Sequence, residues 1–176
     1  GQMLGRSLMV RYLANGADIC EYPKVVLRPG GAAPFMLRVT TTDASYRKDW
    51  LIHTAHEPVL DGTAFRADHG EGRMWCRTLL PKNARLTPVG GAGSAFLAAG
   101  KNCTIDARGL RPEHLAMMGQ WRVEVTPPEP RKEDLFLHVI QVGDQELAAM
   151  PPTTLIEEAG RCGVRRHHLR ADPRRV

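Results

Sequence analysis

The sequence predicts an all-β fold, an antiparallel β-sandwich of short strands with a disordered or irregular basic C-terminal tail. Three observations carry this expectation. The 176 residues include 17 glycines and 13 prolines, about one residue in six, so turns are frequent and long helices disfavoured. Several short stretches alternate apolar and polar side chains, the period of a half-buried strand. Strand–helix–strand units, solenoid repeats and low-complexity tracts are absent from the sequence pattern. A hydrophobic content of 43% suffices for a core, and the length suits one domain with a small appendage. The expected division is an irregular segment over residues 1–22, a β-sandwich over 23–160 and a basic tail over 161–176.

Taken in order, Leu8, Met9, Val10 and Leu13 precede the break at Asn15-Gly16, which fits a helical turn or a strand entering a turn. Val25-Val26-Leu27 ends at Arg28-Pro29-Gly30-Gly31, a turn signal. Over residues 35–42, Phe35, Leu37 and Val39 take one face and Met36, Arg38 and Thr40 the other. The next strand puts Trp50 and Ile52 opposite Leu51 and His53. Leu60-Asp61-Gly62 turns, and a short stretch over 63–66 leads to the small and polar residues 68–72, a hairpin connection. Met74, Cys76 and Thr78 then alternate with Arg73, Trp75 and Arg77 until Pro81. Residues 86–89 make a short strand that Gly90-Gly91 stops. Trp121, Val123 and Val125 face the core, with Arg122 and Glu124 outward. Pro127, Pro128 and Pro130 exclude helix and central strand. Residues 135–142 are apolar on both faces, as a central strand at a layer junction requires. Pro151-Pro152 opens a strand or short helix around residues 153–158.

The net charge of +5 belongs entirely to the C-terminus. Arg161, Arg165, Arg166, Arg170, Arg174 and Arg175 stand there against Asp172, and the remaining 160 residues are neutral. A basic body that tracks phosphates is thus excluded, and no nucleic-acid partner is expected. The tail lacks aromatic residues and reads as solvated. No apolar run approaches the ~18 residues of a membrane span, so no membrane partner is expected. The N-terminus lacks the basic, apolar and small-residue regions of a signal peptide. Cys20, Cys76, Cys103 and Cys162 are widely spaced without a Cys-x-x-Cys pair, which fits separate, partly buried thiols better than a zinc ribbon, with one or two disulfides as the alternative.

Few motifs carry chemistry. The cluster Gly90-Gly91-Ala92-Gly93 lacks the Gly-Lys-Ser/Thr ending of a phosphate loop and reads as a turn. Ser94 lies outside a Gly-x-Ser-x-Gly elbow. His53 and His56, three apart on a strand, point to opposite faces and converge only if the strand ends at His53. A non-specific His/Asp cluster with Asp68-His69 is the alternative. Polar residues at strand ends and in a turn are the favoured reading, and no metal is expected. His138, within an apolar strand, reads as a hydrogen-bonded core histidine. Arg73, Trp75 and Arg77 share one strand face. An indole can stack on a pyranose while guanidinium groups pair with carboxylate or sulfate, so these three are candidate polysaccharide-binding residues. The alternative is a packed indole whose arginines snorkel at the sheet rim.

Five segments in order resemble the heparinase II/III-like polysaccharide lyases. DASYRKDWLIH at 43–53 is similar to that family's TDPSYRKTWLLH type of segment, and GRMWCRTLLP at 72–81 to its GRLFCRTLLP. VGGAGSAF at 89–96 resembles its Val-Gly-Gly-x-Gly-x-x-Phe turn, and WRVEVTP at 121–127 and DLFLHVI at 134–140 resemble two later strands. The resemblance spans residues 23–155. It implies the C-terminal β-sandwich portion of an enzyme that joins an α/α toroid to β layers and cleaves uronic-acid polysaccharides by β-elimination. It also implies a periplasmic or secreted setting, and acidic polysaccharide and the toroid as partners.

The family's catalytic tyrosine and its His-Ala-Asp stretch have no counterpart among these residues, so no catalytic residue is carried over. His53 falls on the strand-end histidine of the WLLH segment and joins the candidate binding residues. No cofactor is expected. The isolated chain is expected to be inactive, and a non-catalytic module that binds acidic polysaccharide is the alternative.

Overall fold

The computed structural model describes residues 7–10, 17–23, 32–98, 100–103, 108–112, 118–158 and 161–166. The strands are β1 (Ser7–Val10), β2 (Ala17–Pro23), β3 (Ala32–Thr41), β4 (Trp50–Thr54), β5 (Val59–Asp61), β6 (Ala64–His69) and β7 (Gly72–Leu80). They continue as β8 (Arg85–Gly90), β9 (Leu97–Ala98), β10 (Lys101–Asn102), β11 (Trp121–Thr126), β12 (Glu133–Asp144), β13 (Thr153–Glu158) and β14 (Arg161–Arg166). A large sheet runs β1-β2-β3-β12-β7-β6-β5 and a small one β4-β11-β8; β9 pairs with β10 and β13 with β14. Every pairing among them is antiparallel. The expected all-β class is the observed one. Among the described residues no helix is long and apolar enough to cross a membrane.

The two sheets share one core, which makes the architecture sandwich-like. Leu37, Phe65, Cys76 and Phe136 from the large sheet meet Trp50, Val123 and Val125 from the small one, with Ala84 between β7 and β8. Phe35, Val39, Ile52, Met74, Leu86 and Ile140 pack around them. The alternation read from the sequence places these side chains, because a strand covered on one side turns alternate residues to the core. Full burial of a side chain such as Phe136 or Val123 contributes about 1.5–3 kcal/mol.

Strand β12 is fourth of seven in its sheet and is buried on both faces, as its apolar sequence predicts. Phe136 and His138 face the core, while Leu137 and Val139 on the reverse face are also buried. A register shift at Leu137/His138 pairs Leu80 with Leu137 but Thr78 with His138. The β12–β13 connection folds back over the reverse face, where the carbonyl of Leu147 accepts from Trp75.

Two boundaries differ from the expected ones. The segment expected to be irregular contains β1 and β2, which extend the large sheet beyond β3. The span expected as a tail opens with β14, which pairs with β13 from Thr153↔Arg166 to Glu158↔Arg161. Of the two readings of the Leu8–Val10 run, the strand entering a turn is the observed one, as β1; β14 pairs through its backbone, which apolar periodicity does not register. The expected strand at Val25-Val26-Leu27 and residues 167–176 lie outside the described residues.

Candidate functional site

Strand β7 places Arg73, Trp75 and Arg77 together on the outward face of the large sheet, because Met74, Cys76 and Thr78 take the core face. Cross-strand neighbours on β6 and β12 complete three rows: Asp68–Arg73–Gly143, Arg66–Trp75–Gln141 and Ala64–Arg77–Val139. The guanidinium of Arg73 is occupied internally. Its Nε donates to Asp68 Oδ1 at 2.7 Å and its Nη2 to Oδ2 at 3.1 Å, a bidentate pair. Its Nη1 donates to the carbonyl of Gln145 at 2.9 Å. The hydrogen bond from Arg73, with the nearby charges of Arg73 and Arg66, holds the Asp68 carboxyl below its ordinary range.

Trp75 is half-buried, and its Nε1 donates to the carbonyl of Leu147 at 3.0 Å. The guanidinium carbon of Arg66 lies 6.0 Å from the centroid of its ring, at the edge of cation–π range. Arg73 and Trp75 therefore fasten the β12–β13 connection to the sheet. Arg77 is half-buried and has no polar partner among the described residues, which leaves its donors available. Arg66 belongs to this face and was missed in the sequence. Its alternation with Phe65 was legible, but its register against Trp75 depends on the hairpin pairing of β6 with β7.

His53 does not join this group. It lies on β4 of the small sheet, where Trp50 and Thr54 are buried and Ile52 packs on the core, so its own side chain faces outward. It is opposite Arg122 in register, and a Cβ at Gly119 would meet its own Cβ at 2.8 Å. The candidate binding residues thus occupy opposite outer faces of the sandwich, and no single ligand subsite spans them. Beside His53, the outer face of the small sheet carries an ion-pair network. Arg122 Nη2 approaches Glu124 Oε1 at 2.7 Å and Arg47 Nη2 approaches Glu124 Oε2 at 2.9 Å, while Arg47 also pairs with Asp49.

Three further titratable groups, His138, Lys48 and Asp134, are buried. His138 is fully buried, with Nδ1 3.1 Å from the Thr78 hydroxyl, and burial lowers its pKa to about 3. It is the hydrogen-bonded core histidine that the sequence predicts. Lys48 and Asp134 form an ion pair at 3.1 Å with both side chains only 5% exposed, and Lys48 also donates to the carbonyl of Arg131. Nothing in the sequence singled out this pair, since the two residues lie far apart in the chain. His56 and His69 bring their rings to a 5.5 Å centroid separation. Among the described residues no group of three or more His, Cys, Asp or Glu side chains could hold a metal.

The glycine cluster forms a turn. Ser94 N–H donates to the Gly91 carbonyl at 3.0 Å, and a Cβ on Gly91 would meet the Trp121 ring at 2.9 Å. Its glycines permit close approach to an indole, which is a packing role. No protein-family model matches the chain, and no curated protein matches it.

Proposed function

We propose that this chain is the C-terminal β-sandwich portion of a heparinase II/III-like lyase, in which a parent protein cleaves uronic-acid polysaccharide by β-elimination. The observation that carries the reading is where the five resembling segments fall. They contain all of β11, β4 up to His53 and the last two residues of β8 in the small sheet, and all of β7 with residues 134–140 of its neighbour β12 in the large one. The resemblance therefore follows the scaffold. In this reading the sandwich packs against an α/α toroid, lines one wall of an acidic-polysaccharide cleft, and works in the periplasm or outside the cell.

β-Elimination needs a group that neutralises the uronate carboxylate, a base for the C5 proton and an acid for the leaving oxygen. His138 lies in a resembling segment but is sealed in the core and held neutral, so it serves as neither acid nor base. In this reading the isolated chain, without the toroid, is inactive. Ultraviolet absorbance of the unsaturated uronate product tests this on heparin, chondroitin sulfate and alginate. The expected result is no product, and turnover by the isolated chain contradicts the scaffold reading.

A polysaccharide-binding module is the second reading, favoured by the available donors of Arg77 beside Trp75 and Arg66. Arg73 contributes less to it, since Asp68 and the Gln145 carbonyl already take its donors. Affinity electrophoresis on heparin or alginate decides the matter, using Trp75→Ala with Arg77→Ala. Deletion of residues 161–176 is the necessary control, because an arginine-rich tail retards any chain on a polyanion. Unchanged migration of the double variant rejects this face.

A further inference from the structure

We infer that Arg66 and Arg77 form a subsite for a single oxyanion group, the carboxylate or sulfate of an acidic sugar, on the outward face of β6 and β7. This subsite belongs to the polysaccharide-binding reading and rests on it, and it specifies which guanidiniums hold the anion. Phe65 and Cys76 take the core face of their strands, so Arg66 and Arg77 point outward. Arg66 is paired in register with Trp75, and Arg77 follows Trp75 by two residues on β7. The two arginines are therefore diagonal neighbours on one face, with backbones roughly 7–8 Å apart. Forked side chains at that spacing close on one anion from two sides.

What singles out these two arginines is their lack of internal acceptors. Arg77 is half-buried and makes no hydrogen bond, ion pair or ring contact among the described residues. The Arg66 side chain is only 32% exposed, and its Nε is sealed from solvent without a hydrogen-bond partner. The nearest carboxylate oxygen, Asp68 Oδ2, lies 3.6 Å from that Nε. It already accepts from Arg73 Nη2 at 3.1 Å, so Asp68 is committed to Arg73. Asp61 stands in the row of Arg77, beyond Ala64, and forms no ion pair with it. Guanidinium donors that have lost water without gaining an acceptor are costly, and an external oxyanion offsets that cost. The flanks suit a sugar that carries the charge. Trp75 lies on one side of Arg66 and Val59, 54% exposed, on the other side in the same row. The β12–β13 connection meets Trp75 from the opposite side, where Leu147 lies over Gly143 of β12.

Sodium glucuronate and sodium sulfate titrated into the full chain test the pair. Nuclear magnetic resonance follows the arginine Nε–H signals, with sodium chloride at equal ionic strength as the baseline. Loss of a signal in Arg66→Lys, Arg73→Lys or Arg77→Lys assigns it. The expected result is that the Arg66 and Arg77 signals move together and saturate at one midpoint for at least one of the two anions. The Arg73 signal, held by Asp68, should stay in place. The anion with the lower midpoint identifies carboxylate or sulfate as the recognised group. Arg77→Lys should weaken the response of Arg66 about tenfold, and Arg66→Lys that of Arg77 likewise, because lysine keeps the charge but loses the fork. Circular dichroism checks that each variant is folded. Signals that move no further than in chloride overturn the proposal, as do responses that ignore substitution of the other arginine. Electrophoresis on heparin or alginate separates this subsite from the module it belongs to. Retardation that Trp75→Ala removes but Arg66→Lys and Arg77→Lys leave intact overturns the subsite and keeps the module. Joint saturation by the small anions, with migration unchanged by Trp75→Ala together with Arg77→Ala, keeps the subsite and rejects the module.

Discussion

The imidazole of His138 lies stacked on the indole of Trp50, with 3.7 Å between ring centroids and 22° between planes. The contact joins β12 of the large sheet to β4 of the small one, and Phe35 and Phe136 flank it at 6.5 and 6.3 Å. An imidazole enclosed this way by rings is kept neutral, because a charge there has no water to solvate it.

That neutrality makes stability depend on pH. Burial lowers the His138 pKa to about 3, whereas an unfolded histidine titrates near 6.5. Between those values the unfolded chain takes up a proton that the folded chain refuses. The contribution is therefore complete above about pH 6.5 and is lost as pH falls towards 3, at up to about 1.4 kcal/mol per unit. Urea unfolding at pH 7, 6 and 5 should show this decline in the wild type. His138→Phe should flatten it, at the cost of leaving the Thr78 hydroxyl without its partner.

The buried pair of Lys48 and Asp134 predicts a strong asymmetry between single and double variants. Lys48→Met leaves the Asp134 carboxylate buried and unpaired, a loss of about 3–5 kcal/mol. Lys48→Met with Asp134→Leu removes both charges and should recover most of that loss. Denaturant midpoints of the four proteins in the double-mutant cycle measure it.

Gly91 combines a φ of +75° with close approach to Trp121. Gly91→Ala should destabilise the chain by about 1–3 kcal/mol, since it adds left-handed strain and a methyl group against the ring. Trp121 fluorescence reports the displacement. An unchanged midpoint and spectrum would show that the turn relaxes freely.

Cys76 and Cys103 should differ in reactivity. Cys76 is fully buried and burial pushes its thiol pKa up, whereas Cys103 is exposed. Iodoacetamide on the folded chain, followed by peptide mapping, should label Cys103 within the time that leaves Cys76 unmodified. Denaturant should make Cys76 reactive.

The class of fold and most inward faces were legible because strand alternation is local: Leu37 against Arg38, Cys76 against Arg77, and Val123 against Glu124 can be assigned within a few residues. The pairing of β12 between β3 and β7 was not legible, because it depends on register across the chain. The candidate site was legible only in part for the same reason. Arg73, Trp75 and Arg77 share a face by their spacing, but their internal partners Asp68, Gln145 and Leu147 come from a hairpin and a connection outside that strand. The position of His53 on the opposite layer follows from sheet assignment, which alternation does not encode. Lys48–Asp134 and His56–His69 are likewise contacts between distant segments.

The central claim is that this sandwich belongs to a larger lyase, and the coding sequence upstream of Gly1 tests it most directly. The account predicts an in-frame stretch encoding the α/α toroid with the family's catalytic tyrosine and its His-Ala-Asp segment. An in-frame stop codon immediately upstream, with a start codon serving this chain alone, would contradict it.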